Sequence, residues 1–157
     1  IFVVSPENPL KEKKTLLDQS HRLKIIRAEV EGNAKLAVSD IEFSMPQPSY
    51  TIDTLVRLKE EHPEHEYALI MGADNLQNFH KWKNFEQILQ EYSIYVYPRH
   101  GYEVEGSHEN IHLIEGVPQM EISASFIRNS IKQGKDISYL MTEKAWEYTD
   151  EMNFYKK

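Results

Sequence analysis

The chain has 157 residues, 40% of them hydrophobic, with 18 Lys and Arg against 25 Asp and Glu, a formal charge of −7. That is the size of one ordinary globular domain with a real core, and its acidity argues against a general nucleic-acid or membrane-surface binder while leaving a small anionic ligand open. The absence of cysteine excludes disulfides, thiolate catalysis and zinc–sulfur sites from this chain; no apolar run approaches the roughly 18 residues that span a membrane; and "IFVVSPENP" lacks the basic start of a signal peptide, so a cytoplasmic setting is the default.

Residues 1–4, "IFVV", read as a buried strand followed by a polar loop, "SPENPLKEKKT". From Asp18 to about Glu31, Leu23, Ile26 and Val30 recur at helical spacing, with Gly32 and Asn33 as a stop. Residues 35–45 predict one or two strands, and 49–63 a helix that ends before Pro63. "EYALIMG" (66–72) is a near-continuous apolar run, the mark of a central parallel strand. A short helix is expected at 73–79, a longer one over "HKWKNFEQILQEY", and a buried strand over "SIYVYPR" (93–99). After a polar excursion at 100–110, "IHLIEG" (111–116) predicts another strand. The helix following "MEISASFIRNSI" runs to Gly134, and 142–155 makes a last helix with Thr142 as its cap.

Strands of about four to seven residues alternating with helices predict an α/β fold, a doubly wound, Rossmann-like parallel sheet with helices on both faces. In such sheets ligands bind beyond the carboxyl ends of the strands. That places "SPENPLK", "GADNL", "PRHG" and "EISAS" on one rim. We see no repeat, low-complexity segment or linker, and residues 1–157 read as a single domain.

Several stretches carry chemistry or only helix capping, and residue type alone leaves both open. Ser123 or Ser125 can cap a helix at its free N–H groups, and the same groups with Arg128 a turn away can hold phosphate. Gly72 allows close backbone approach and Asp74 can accept from ribose hydroxyls, or cap a turn. "SYTID" (49–53) is a helix start whose N–H groups suit a carboxylate. Trp82 sits between two lysines, as a stacking platform or a packing residue. The seven histidines show no metal pattern, and no nucleophile–base pair is visible. The chemistry left to such residues is positioning and charge neutralisation, as in phosphoryl and nucleotidyl transfer.

Taken in order, "PSYTIDTL" (48–55), "LIMGADNL" (69–76), "HKWKNFEQIL" (80–89), "IYVYPRHGY" (94–102) and "EISASFIRNSI" (121–131) resemble nicotinate-nucleotide adenylyltransferase, of the nucleotidyltransferase superfamily. The resemblance implies transfer of AMP from ATP, with Mg²⁺ on its phosphates, to nicotinate mononucleotide. The products are nicotinate adenine dinucleotide and pyrophosphate, on the route to NAD. It implies phosphate contacts at Ser123, Ser125 and Arg128, with Ser125 and Arg128 nearest the chemistry, and an adenosine side at Gly72, Asp74 and Arg99. It places Thr51 and Lys83 at the nicotinate carboxylate through their backbone, Trp82 on the pyridine ring, and Lys11 as a further phosphate contact. A non-catalytic nucleotide-binding module and a phosphopantetheine adenylyltransferase are the alternatives, and a homo-oligomer stays open. The family's Gly-rich first loop with two histidines has no counterpart in the sequence. The expectation is therefore that a strand, that loop and a helix, about 30 residues or more, lie outside this chain, and that turnover without them is slight.

Overall fold

The computed structural model describes residues 1–7, 16–102, 104 and 108–156. In chain order the elements are β1 (Phe2–Val3), α1 (Gln19–Val30), β2 (Val38–Ser39), α2 (Thr51–Glu61), β3 (Ala68–Gly72) and α3 (Ala73–Leu76). They continue with α4 (Phe85–Glu91), β4 (Ser93–Tyr97), β5 (Ile111–Leu113), α5 (Ala124–Lys132) and α6 (Glu143–Glu151). Short 3-10 turns cover Ile41–Ser44, Phe79–Lys81 and Ser138–Leu140. The elements fall into two compact units, one of residues Ile1–Pro48 and Ile122–Lys157, the other of Ser49–Glu121. Every strand pairing among the described residues is parallel, as the α/β pattern predicts.

In the first unit β1 pairs with β2, Phe2 opposite Val38, and Val4 just beyond is buried. Asp18 caps α1 by accepting from the Ser20 N–H at 2.8 Å, and Leu23 is buried on the helix. Helix α6 docks on α1: Lys144 Nζ donates to the Ala28 carbonyl at 2.8 Å, and Glu29 Oε1 accepts from the Ala145 N–H at 2.7 Å. Thr142 occupies the N-cap position of α6 but makes no side-chain cap bond. Glu29, from the neighbouring helix, satisfies a first-turn N–H in its place, which local sequence could not foretell. The same helix ends at Glu151 rather than near 155, because Asn153 turns left-handed at φ 54°. Its N–H and that of Phe154 then close on the Asp150 and Thr149 carbonyls, a Schellman termination. Gly134 ends α5 in the same way at φ 72°, with Lys135 bonding back to Ser130.

The second unit is built on the three-stranded order β3-β4-β5, with Leu69 opposite Ile94 and Val96 opposite Leu113. Ile94 and Val96, two apart on β4, are fully buried together with Ile88 of α4. The period-2 geometry of a strand sends both to one face, where Ile52 and Leu55 of α2 and Met71 of β3 join them. Full burial of one such side chain contributes about 1.5–3 kcal/mol. The continuous apolar run of β3 predicts burial on both sides, yet Ile70 is 78% exposed, because the core helices gather on the Met71 side. The helix expected across 80–92 is interrupted: Trp82 is extended and Asn84 is left-handed at φ 51° before α4 begins. Residues 35–45 yield only the two-residue β2 before the turn at Ile41.

Candidate active site

Helix α5 opens at Ser123, whose extended backbone (φ −115°, ψ 151°) turns its Oγ over the first turn to accept from the Phe126 N–H at 3.1 Å. Ile127 N–H bonds the Ser123 carbonyl at 3.1 Å. The N–H groups of Ala124 and Ser125 precede the helical ladder and stay available to an anion. Arg128 Nη2 donates to Ser125 Oγ at 3.2 Å, which holds the guanidinium back along its own helix towards that start. Among the described residues no carboxylate pairs with Arg128. The structure thus brings Ser123, Ser125 and Arg128 into one capped, cation-bearing helix start.

Two residues that sequence reasoning did not connect with this group come within electrostatic reach of Arg128 or of each other. Tyr155 is half-buried and left-handed at φ 63°. Burial pushes its phenol above the ordinary value, while the charges of Arg128 and Arg22 pull it back. Arg22 is fixed by donating from Nε to the Leu17 carbonyl at 2.9 Å and from Nη2 to the Pro6 carbonyl at 3.0 Å. Burial lowers the Arg22 pKa, against the raising effect of Asp18 and Tyr155. Most of the chain separates Arg22 from Arg128 and Tyr155, so no local motif could have joined them. Lys11 lies outside the described residues.

In the second unit each candidate residue neighbours a buried anchor in sequence: Thr51 precedes Ile52, Gly72 and Asp74 flank Ala73, and Trp82 closes the turn begun by Phe79. The core therefore fixes these positions, which are themselves only partly buried. Arg99, after β4, places Nε 3.2 Å from Asp74 Oδ1, after β3. The rim expectation holds for these two strand ends, which the pair joins. Asp74 Oδ1 is buried and has no aligned hydrogen bond, so Arg99 attracts it by charge without satisfying it. With Oδ1 turned inward, the side chain keeps 36% of its surface exposed, and that surface is left to accept from a ligand hydroxyl. Gly72 makes room for the arrangement. A Cβ there would stand 2.4 Å from Asp74 Oδ1 and 3.0 Å from Arg99 Nε.

Thr51 is the first residue of α2, and Tyr50 at its N-cap makes no side-chain cap bond. Trp82 is half-buried, edge-on to Phe79 with ring centroids 5.4 Å apart; it packs on Phe79 and keeps part of its surface exposed. Lys83 Nζ grips both oxygens of Asp53 at 3.0 and 2.8 Å and lies 4.9 Å over the Tyr50 ring. Its ammonium is thus committed to protein partners. Among the described residues no group of three or more His, Asp or Glu gathers as a metal site.

Residues 1–130 match the cytidylyltransferase-like family. A Flavobacterium johnsoniae protein described as "Probable nicotinate-nucleotide adenylyltransferase" is 55% identical over 160 residues, covering 99% of this chain and 82% of the relative. A Christiangramia forsetii protein of the same description is 49% identical over 159 residues, covering 99% of this chain and 81% of its own length. Among solved structures, Plasmodium falciparum nicotinic acid mononucleotide adenylyltransferase complexed with NaAD superposes with a TM-score of 0.76 at 20% identity, over 98% of this chain and 80% of that one. At that identity the superposition speaks for the fold alone.

Proposed function

The chain belongs to the cytidylyltransferase-like family and, within it, to the nicotinate-nucleotide adenylyltransferases, and on that premise we propose how its residues serve transfer of AMP from ATP to nicotinate mononucleotide. An oxygen of the mononucleotide phosphate attacks the α-phosphorus of ATP; the new P–O bond forms as the bond to pyrophosphate breaks, and negative charge builds on the leaving group. Mg²⁺ enters on the triphosphate as part of the substrate. Ser123 and the open N–H groups of α5 receive phosphate oxygens, and Arg128, held at Ser125, meets the charge that develops. Asp74 accepts from the adenosine ribose beside Gly72 and Arg99. Trp82 stacks on the pyridine ring, with the start of α2 at Thr51 meeting its carboxylate through backbone N–H groups.

The observation that carries this reading is the start of α5, where a guanidinium lies over a serine-capped helix start without a carboxylate partner among the described residues. A cation so placed is available to phosphate. Calorimetric titration of the purified protein tests it, since binding reports recognition whatever the turnover. A non-hydrolysable ATP analogue with Mg²⁺ and nicotinate mononucleotide are each expected to bind, and pyrophosphate release, where seen, to need both substrates. Phosphopantetheine binding in place of the mononucleotide would move the chain to the sister enzyme. ATP binding with no acceptor at all would leave a nucleotide-binding module.

A further inference from the structure

The Lys83–Asp53 pair is an ion pair at the start of α2 that the proposed roles leave unused. Asp53 is the third residue of the helix, and its carboxylate is held at both oxygens by one ammonium. Both side chains are 43% exposed, and ion pairs at such exposure add little to stability. Losing either partner alone would change the charge at the helix start far more than it would change the stability of the fold.

A helix start carries about half a positive charge, which attracts a carboxylate. Asp53 alone would reverse that sign within the first turn, and Lys83 restores it. A neutral carboxamide is nearly indifferent to either state, whereas a carboxylate is not. Resting on the proposed function, we propose that the Lys83 side chain determines specificity without its ammonium touching the acceptor: by neutralising Asp53 it keeps the α2 start attractive to a pyridine carboxylate over a pyridine carboxamide. Its position 4.9 Å over the Tyr50 ring, the N-cap residue of the same helix, ties the ammonium to that start and supports the assignment.

The test titrates the folded protein and three variants, Lys83→Gln, Asp53→Asn and the double substitution, with nicotinate mononucleotide and with nicotinamide mononucleotide. Lys83→Gln is expected to weaken the nicotinate form roughly five- to tenfold, the effect of one partly screened charge, and to move the nicotinamide form less than about twofold. The double variant, which removes both charges, is expected to regain the nicotinate affinity to within about threefold of the unaltered protein. Equal weakening of both acceptors by Lys83→Gln would show a structural strap and overturn the proposal. So would a double variant as weak as Lys83→Gln, since the ammonium would then contact the ligand directly. An unaltered protein that binds neither acceptor overturns the proposed function itself, which separates that failure from the failure of this inference.

Discussion

At the start of α5 the cap is a serine and a guanidinium bonds the same turn; at the start of α2 there is no side-chain cap, and a carboxylate and an ammonium pair and cancel. Both helix ends offer free N–H groups, and on the proposed function they take different loads, phosphate at α5 and a carboxylate at α2. A triphosphate brings several charges, so a side-chain cation beside the helix start adds to the dipole. A single carboxylate needs only the dipole, and a surplus cation there would also favour phosphate. The contrast teaches that a helix start becomes selective through the charges its first turn keeps near it.

The largest effect is expected from Arg128→Ala. Losing a charge-assisted contact costs about 1.5–3 kcal/mol, so ATP-analogue affinity should fall by one to two powers of ten while mononucleotide affinity holds. Equal loss of both ligands would erase the contrast between the two starts. Trp82→Ala probes the other side: mononucleotide affinity should fall by about 1–3 kcal/mol, the usual worth of stacking a ring on an aromatic side chain, with ATP affinity kept. Because Trp82 also packs on Phe79, the thermal midpoint should be followed in the same variant. A lower midpoint with unchanged mononucleotide affinity would make it a packing residue only.

Legibility in the sequence followed the range of the forces involved. Helix α1, the central strands and the start of α5 were readable because period, cap and apolar run are local: α1 follows the spacing of Leu23, Ile26 and Val30, and Ser123, one of the two serines offered, caps α5. The break at Trp82–Asn84 was not, because a left-handed asparagine inside a helical-looking pattern leaves no compositional trace. Glu29 capping α6, and the charges of Arg128 and Arg22 acting on the Tyr155 phenol, depend on tertiary neighbours. That Ser123, Ser125 and Arg128 share one helix start was legible since all lie within two turns; the Asp53–Lys83 contact joins two segments and needed the fold.

The smallest effect sharpens the comparison most. Ser123 serves the helix through Phe126 N–H, while Ser125 serves Arg128, so the two hydroxyls of one motif do separate work. Ser123→Ala should lower folding stability by about 1 kcal/mol through the lost cap. Ser125→Ala should leave stability nearly unchanged, since its hydroxyl is exposed and bonds no backbone group. Its cost should instead appear in ATP affinity, because the guanidinium loses the contact that aims it at the helix start. Chemical denaturation and calorimetry on the two variants decide the matter. If Ser123→Ala costs no stability, the cap is not what holds this helix start, and phosphate binding alone would account for the serine. A loss of stability with Ser125→Ala and none of affinity would mean that Arg128 is positioned by its own packing.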